Sequence, residues 1–390
     1  MRVYLDHAAT TPCDPEVIEA MQPYWQVKFG NPSSPYRLGG EAEEAIEQAR
    51  AKLASLIGAD SGEIIFTGSG TASDNVAVKG VAFKWQKRGR HIITTQVEHP
   101  AVLESCRWLE KQHFEVTYLP VDEWGVIRVG DVAKAIRADT ILVSIMHGNN
   151  EVGSIQPIEQ ISQVTRERGV YLHVDAVQTG GSIPINVKNL GVDLLSLSAH
   201  KLYGPKGVGA LYLKKGGTLD PWLHGGQQEN RWRASTQNVP GIVGFGRAAE
   251  LAGERMVEDS DRMVMLRDKL MDGLLNRIPD LKINGHATAR LPGNVNVSVA
   301  GVEGEGMVLH LDAAGIMCST GSACSSHNLK PSHVLIAMGI RHEIAHGSLR
   351  FTLGRSTTEA EIDYVLEVLP TIVEKLRVMS PLVQGQVQVA

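Results

Sequence analysis

The chain has 390 residues, 43% of them hydrophobic and 21% charged, with a formal net charge of −5; that length suits about two to three domains and that charge lacks the basic excess of a nucleic-acid footprint. Four cysteines, Cys13, Cys106, Cys318 and Cys324, contain no C-x-x-C pair, which excludes a disulfide framework and a thiolate zinc site. The opening "MRVYLDHAATTPCDP" lacks the apolar core of a signal peptide and no segment approaches the ~20 apolar residues of a membrane span, so the expectation is a cytoplasmic protein, mature as written, with no nucleic-acid or membrane partner.

The first strong pattern is "EAEEAIEQARAKLASLIG", where Ile46, Ala49, Leu53, Leu56 and Ile57 recur at helical spacing and Gly58 follows as a helix stop. "EIIFT" (63–67) then reads as a strand, followed by the turn "GSG" and an amphipathic helix with Val78, Val81 and Trp85. Further strands are expected at 91–95, 115–119, 140–146, 170–175, 193–198 and 209–213, mostly separated by helical stretches. Such near-continuous apolar runs suit a mainly parallel sheet covered on both faces. After about residue 256 the texture changes: a charged helix pattern over 251–278 precedes the short strands "NVNVSV" (294–299) and "SLRFTL" (348–353), which predicts a smaller α+β domain. The tail "SPLVQGQVQVA" reads as frayed.

Ligands of open α/β sheets bind beyond the carboxyl ends of the strands, and those ends are polar here. Gly68, Ser69, Gly70 and Thr71 precede a helix, where free N–H groups and the helix dipole favour a phosphate. There is no G-K-[ST] and no G-x-G-x-x-G, so neither a P-loop nor a dinucleotide fingerprint is present. His99 follows the strand at 91–95, Asn149 and Asn150 follow 140–146, and Asp175 and Gln178 follow 170–175. Each alone reads as a cap or turn residue; together they converge. "DLLSLSAHKLYGPKGVGALYL" delivers Ser198, His200 and Lys201 into a glycine-rich turn. A lysine between apolar segments suits Schiff-base chemistry, and an upstream Asp suits the pyridinium nitrogen of pyridoxal phosphate.

The segments "YLDHAATTP", "FGNPSS", "VEHPAV", "HGNNEVG", "HVDAVQ", "SAHKLYGPKG" and "STGSACSS", in this order over nearly the whole chain, closely resemble the cysteine desulfurases whose active cysteine lies on a longer loop, members of the fold-type I, class V pyridoxal phosphate family. The resemblance implies an α/β fold with a mainly parallel seven-stranded sheet in a large domain (15–256), and a small domain formed by 1–14 and 257–390 that carries the active-cysteine loop, about 317–332. It implies that Lys201 bonds the cofactor aldehyde, that Asp175 pairs with the pyridine nitrogen and that Gln178 approaches the phenolic oxygen. His99 would stack on the ring and move protons. Gly70, Thr71, Ser198 and His200 would hold the phosphate, with Thr236 given by the other subunit of a homodimer. Asn150 and Arg350 would grip the substrate, Arg350 by its carboxylate. Cys324 would attack the sulfur of L-cysteine and keep it as a persulfide, leaving alanine, for transfer to an iron–sulfur scaffold or a tRNA-thiolation protein.

This sequence departs from the family pattern in places: "TGSGTA" puts Ala72 where a glutamate is usual, Ala199 and Pro100 replace a common glycine and lysine, and the C-terminal tail is short. A selenocysteine lyase or an aminotransferase of the same class is the near alternative, although an aminotransferase has no use for Cys324. A sulfur carrier without catalysis would not need the cofactor set. "HEIAH" (342–346) fits the zinc motif H-E-x-x-H, but the window between Gly339 and Gly347 is too short for a zinc-binding helix, so a plain helical turn and no metal are expected. Cys13, Cys106 and Cys318 read as packed small hydrophobes, and "GNPSSPY" (30–36) as a loop near the site entrance or a plain turn.

Overall fold

The computed structural model describes residues 1–320 and 331–379. Cys324, and with it most of the expected cysteine loop, lies outside the described residues. Strands run in chain order β1 (Val3–Tyr4), β2 (Ile64–Thr67), β3 (His91–Thr95), β4 (Glu115–Leu119), β5 (Thr140–Met146), β6 (Tyr171–Asp175), β7 (Leu194–Ser198), β8 (Gly209–Leu213), β9 (Leu281–Asn284), β10 (Asn294–Val299), β11 (Ile316–Met317) and β12 (Ser348–Thr352). Seven of them form one sheet in the order β2-β8-β7-β6-β5-β3-β4, in which only β8 runs antiparallel to its neighbours. The strands predicted from apolar runs are thus found within a residue of their expected ends. Burial on both faces explains their composition: β2, β3, β5, β7 and β8 are buried throughout.

One face packs against the helix Arg37–Ile57, with Ile46, Leu53 and Ile57 in the same core as Phe66, Ile145 and Leu197. The helix Gly70–Trp85 covers the other face with Val78 and Val81, beside Cys106, Ile141 and Leu211. A second core gathers β9, β10 and β12, which form an antiparallel sheet in the order β12-β10-β9, with the helix Glu359–Met379 and with Val3 and Leu5 of the N-terminus. β1 joins this part by pairing parallel with β11.

The helix expected over 251–278 begins much earlier, at Val239, and runs unbroken to Arg277. Its first half contributes Ile242, Phe245 and Leu251 to the large core and its second half Leu266, Leu270 and Leu274 to the small one, so residue 256 falls inside a helix rather than at a linker. "VPGIVGFG" does not read as helical because of its glycines, yet packing demands them: a Cβ on Gly246 would lie 2.5 Å from Ala49 Cα of the helix Arg37–Ile57. Pro240 sits in the first turn, where a missing N–H costs nothing.

The motif "HEIAH" folds as the single short helix His342–Ala345 with its two imidazoles edge to face at 4.9 Å. Among the described residues no group of His, Cys, Asp or Glu is arranged to hold a metal, and no helix is long and apolar enough to cross a membrane.

Candidate active site

The carboxyl ends of the parallel strands open into a cleft of about 450 Å³, lined among others by Gly70, Thr71, His99, Asn150, Asp175, Gln178, Ser198, His200, Lys201 and Arg350. Eight sequence segments that lie far apart in the chain therefore meet at one place. Thr236 does not line it; it is exposed on the segment before the long helix. Residues 30–36, read as a loop near the entrance or a plain turn, contribute Pro32 and Ser33 to a different depression beside Arg50 and Glu229.

At one end of the cleft stands the N-terminus of the helix Gly70–Trp85. Ser69 caps it, its Oγ accepting from Ala72 N at 3.1 Å, while the first-turn N–H groups of Gly70 and Thr71 have no intrahelical acceptor. Gly70 is required by space: a Cβ there would come within 2.7 Å of Val177 and 3.2 Å of Ser198. Ser198 Oγ is buried with no hydrogen-bond partner among the described residues, and His200 Nδ1 lies 3.1 Å from Thr10 Oγ1. An anion seated on this helix end would satisfy the serine hydroxyl and the free N–H groups together.

Lys201 follows β7 in a short 3₁₀ turn. Its Nζ donates to the carbonyls of Ala8 and, at 2.8 Å, Ala9, which explains why "DHAATT" belongs to the site: the N-terminal segment positions the amine. Gln178 Nε2 donates to the same Ala8 carbonyl at 3.0 Å. Asp175, the last residue of β6, is buried and accepts from Val177 N at 2.9 Å. Burial pushes its carboxyl upward, against the pull of His99 and Lys201.

His99 caps the helix Pro100–Glu110, its Nδ1 accepting from Ala101 N at 3.1 Å. A neutral ring then carries its hydrogen on Nε2, the nitrogen left for the cleft. Burial lowers its pKa, with Asp175 opposing. On the far wall Arg350 of β12 donates from Nη2 to Asp6 Oδ1 at 2.8 Å and from Nη1 to the Asn150 carbonyl at 3.0 Å.

Three ionisable lining residues were not picked from sequence: Asp74, Glu151 and His333. His333 Nε2 lies 3.0 Å from the Glu98 carbonyl, and Ser332, which caps the helix His333–Ala337, donates to Glu151 Oε2. On the other side of the undescribed segment, Ser319 exchanges backbone hydrogen bonds with Arg350, at 2.7 and 3.2 Å. The chain thus leaves the described part beside one cleft residue and re-enters it beside another. Cys324 belongs to the undescribed segment between these two points, four residues after Thr320. The remaining thiols are packed: Cys106 is fully buried, Cys13 lies against the large core and Cys318 against the small one, and burial pushes all three thiols up.

Known proteins resemble the chain over nearly its whole length. The family model described as "Aminotransferase class-V" matches residues 3–365. The chain is 57% identical to the cysteine desulfurase IscS of Dictyoglomus turgidum over 97% of this chain and 96% of that one. It is 56% identical to the cysteine desulfurase IscS of Methanosarcina thermophila over 97% and 94%. A solved NifS-like protein superposes with a TM-score of 0.91 at 42% identity, covering 96% of this chain and all of the other, and a structure of SspA in complex with cysteine superposes at 0.81 with 36% identity, over 91% of this chain and all of that one. The chain belongs to the class-V aminotransferases and, within them, to the pyridoxal phosphate-dependent cysteine desulfurases.

Proposed function

We propose that the cleft takes L-cysteine, removes its sulfur and leaves alanine, the sulfur being held as a persulfide on Cys324. What carries this reading is the meeting of Lys201, Asp175 and a capped, anion-seeking helix end in one cleft. The solved relative bound to cysteine supports the substrate.

These residues fit pyridoxal phosphate: the Ser198 hydroxyl without a partner and the space kept open by Gly70 suit its phosphate, and the buried Asp175 suits a cationic ring nitrogen. When bound, the cofactor supplies the electron sink for an amino acid's Cα carbanion. Gly70, Thr71, Ser198 and His200 would hold its phosphate, with Thr236 serving the equivalent site of a second copy. Lys201 would hold its aldehyde, and its Nζ would take the substrate Cα proton. His99 would face the ring and take part in proton transfer. Gln178, anchored on Ala8, would serve the ring oxygen.

Arg350 and Asn150 orient the substrate so that its sulfur faces the segment carrying Cys324. The Cys324 thiolate attacks that sulfur; the bond from sulfur to Cβ breaks, its electron pair stays with the carbon, and protonation of that carbon completes alanine. A free thiol of ordinary pKa is only a few per cent ionised at neutral pH, so a base must take its proton: a group of the substrate itself, or His99 in the other tautomer, with Nε2 free of hydrogen. We further read the protein as a cytoplasmic homodimer that passes sulfur to an acceptor protein for iron–sulfur cluster assembly.

The test is product analysis. Purified protein given L-cysteine and a thiol reductant, without a keto acid, is expected to form alanine and sulfide in equal amounts. Cys324→Ser keeps the visible absorbance of the bound cofactor and loses this activity, whereas Lys201→Ala loses the absorbance. Wild-type alanine formation by Cys324→Ser would refute the assignment.

A further inference from the structure

The helix Gly70–Trp85 turns one acid into the apolar layer between itself and the sheet. Asp74 is 1% exposed and lines the cleft together with Asp175. Beneath it the sheet presents a polar row where apolar residues would be expected. Ser144 of β5 is paired with His173 of β6, and Asp175 of β6 with Ser196 of β7. His173 is fully buried, its Nδ1 2.8 Å from Ser144 Oγ and its Nε2 2.9 Å from Ser196 Oγ. Asp74 Oδ1 lies 3.6 Å from that Nε2 and has no hydrogen-bond partner among the described residues.

Two carboxyl groups buried at one end of a cleft do not both ionise without a cation for each. The groups acting on Asp175 include His99 and Lys201. The charged groups acting on Asp74 are acids, Asp175 and Glu98, and the Ser196 hydroxyl opposes them. His173 offers no charge, since burial drives its pKa down to about 3.

We propose that Asp74 is a positioning residue that stands as a neutral carboxylic acid, its proton held toward Ser196, so that the Asp74–Asp175 pair carries one negative charge and that charge rests on Asp175. The proposal rests on the reading that Asp175 faces the cofactor's ring nitrogen. A row of hydrogen bonds follows in one direction: Asp74 donates to Ser196 Oγ, Ser196 to His173 Nε2, and His173 Nδ1–H to Ser144 Oγ. Were Asp74 ionised, the row would run the other way and His173 would be the opposite tautomer. Neutral Asp74 thereby keeps a second charge away from Asp175, whose electrostatic pairing with the ring would otherwise be shared.

The experiment uses holoenzyme made with aspartate carrying carbon-13 in the side-chain carboxyl, which separates these acids from Glu98. Infrared spectra at neutral pH are expected to contain an isotope-shifted carboxylic-acid band that disappears in Asp74→Asn. The asparagine variant, a close mimic of the neutral acid, should leave the midpoint of the visible-absorbance pH titration within about 0.3 of wild type, whereas Asp175→Asn should move it by about one unit or more. Absence of the acid band in labelled wild type overturns the proposal even if no variant folds; so does a band that survives Asp74→Asn, or a shift of about a unit in that variant. Loss of visible absorbance in wild type would instead refute the cofactor reading, while the acid band still reports on Asp74.

Discussion

Arg350 and Asp6 form an ion pair at 2.8 Å across the wall of the cleft, the arginine side chain 3% exposed and the aspartate 20%. The N-terminal segment thus holds the guanidinium that the small sheet presents, and the Asn150 carbonyl holds its other arm. A lysine has no planar fork with which to keep both partners and still meet a carboxylate. Arg350→Lys is expected to raise KM for cysteine by about tenfold or more with kcat changed only a few-fold, about 1.4 kcal/mol of binding. Asp6→Asn should raise KM by less. Steady-state alanine production measures both, and an unchanged KM in Arg350→Lys would remove the arginine from substrate binding.

The cap that His99 gives Ala101 N needs a neutral ring, because a charged one has no lone pair left on Nδ1. Burial lowers its pKa below the ordinary 6.5, so its neutral form persists into mildly acidic solution and the acid limb of kcat/KM should lie below pH 6.5. Protonation on that limb lowers the rate as the pH falls. His99→Gln should be slow at every pH and should lack the limb; an acid limb retained in the variant would belong to another group.

Glu98 is fully buried next to His99, its Oε1 accepting from Thr95 Oγ1 at 2.7 Å and Met146 N at 3.1 Å. Burial raises its carboxyl from 4.5 to about 8. Because the folded value lies above the unfolded one, the stabilisation is complete below pH 4.5 and is lost as the pH rises through about 8. Glu98→Gln keeps the acceptor at Oε1 and cannot ionise. Its melting temperature should fall less than that of wild type between pH 5 and 8, and parallel thermal profiles would refute the assignment.

Arg50 and Glu229 meet in two hydrogen bonds of 2.7 and 3.0 Å, with Glu229 also accepting from Phe66 N at 2.9 Å and Arg50 donating to the Ile64 carbonyl at 2.8 Å. The carboxylate comes from a residue with φ of 49°, a conformation kept because both ends of the pair are anchored on β2. Glu229→Ala leaves a buried guanidinium and should destabilise the fold by about 3–5 kcal/mol. Denaturant unfolding should show that Arg50→Met combined with Glu229→Met costs less than Glu229→Ala alone.

The large sheet was legible because its strands are buried on both faces and so appear as unbroken apolar runs, and the cleft was legible because its residues sit at the ends of those runs. Asp74, His173 and Glu98 were harder. Each is a polar residue inside or beside an apolar segment, and its meaning depends on neighbours distant in the chain, such as Ser196 for His173 and Met146 for Glu98. His333 is the first residue of a short helix capped by Ser332, a place where nothing in the sequence marks it as part of the cleft. The span 239–250 failed for the opposite reason: glycines that lower helix propensity are required by a close helix–helix approach, and tertiary packing outweighs propensity.

The helix Val239–Arg277 has 39 residues, about 58 Å at 1.5 Å per residue, and it is rooted in both cores. It acts as a strut. The lysine delivered by the large sheet and the arginine delivered by the small one are held apart by one rigid member, so the width of the cleft is a dimension of the scaffold rather than the angle of a hinge.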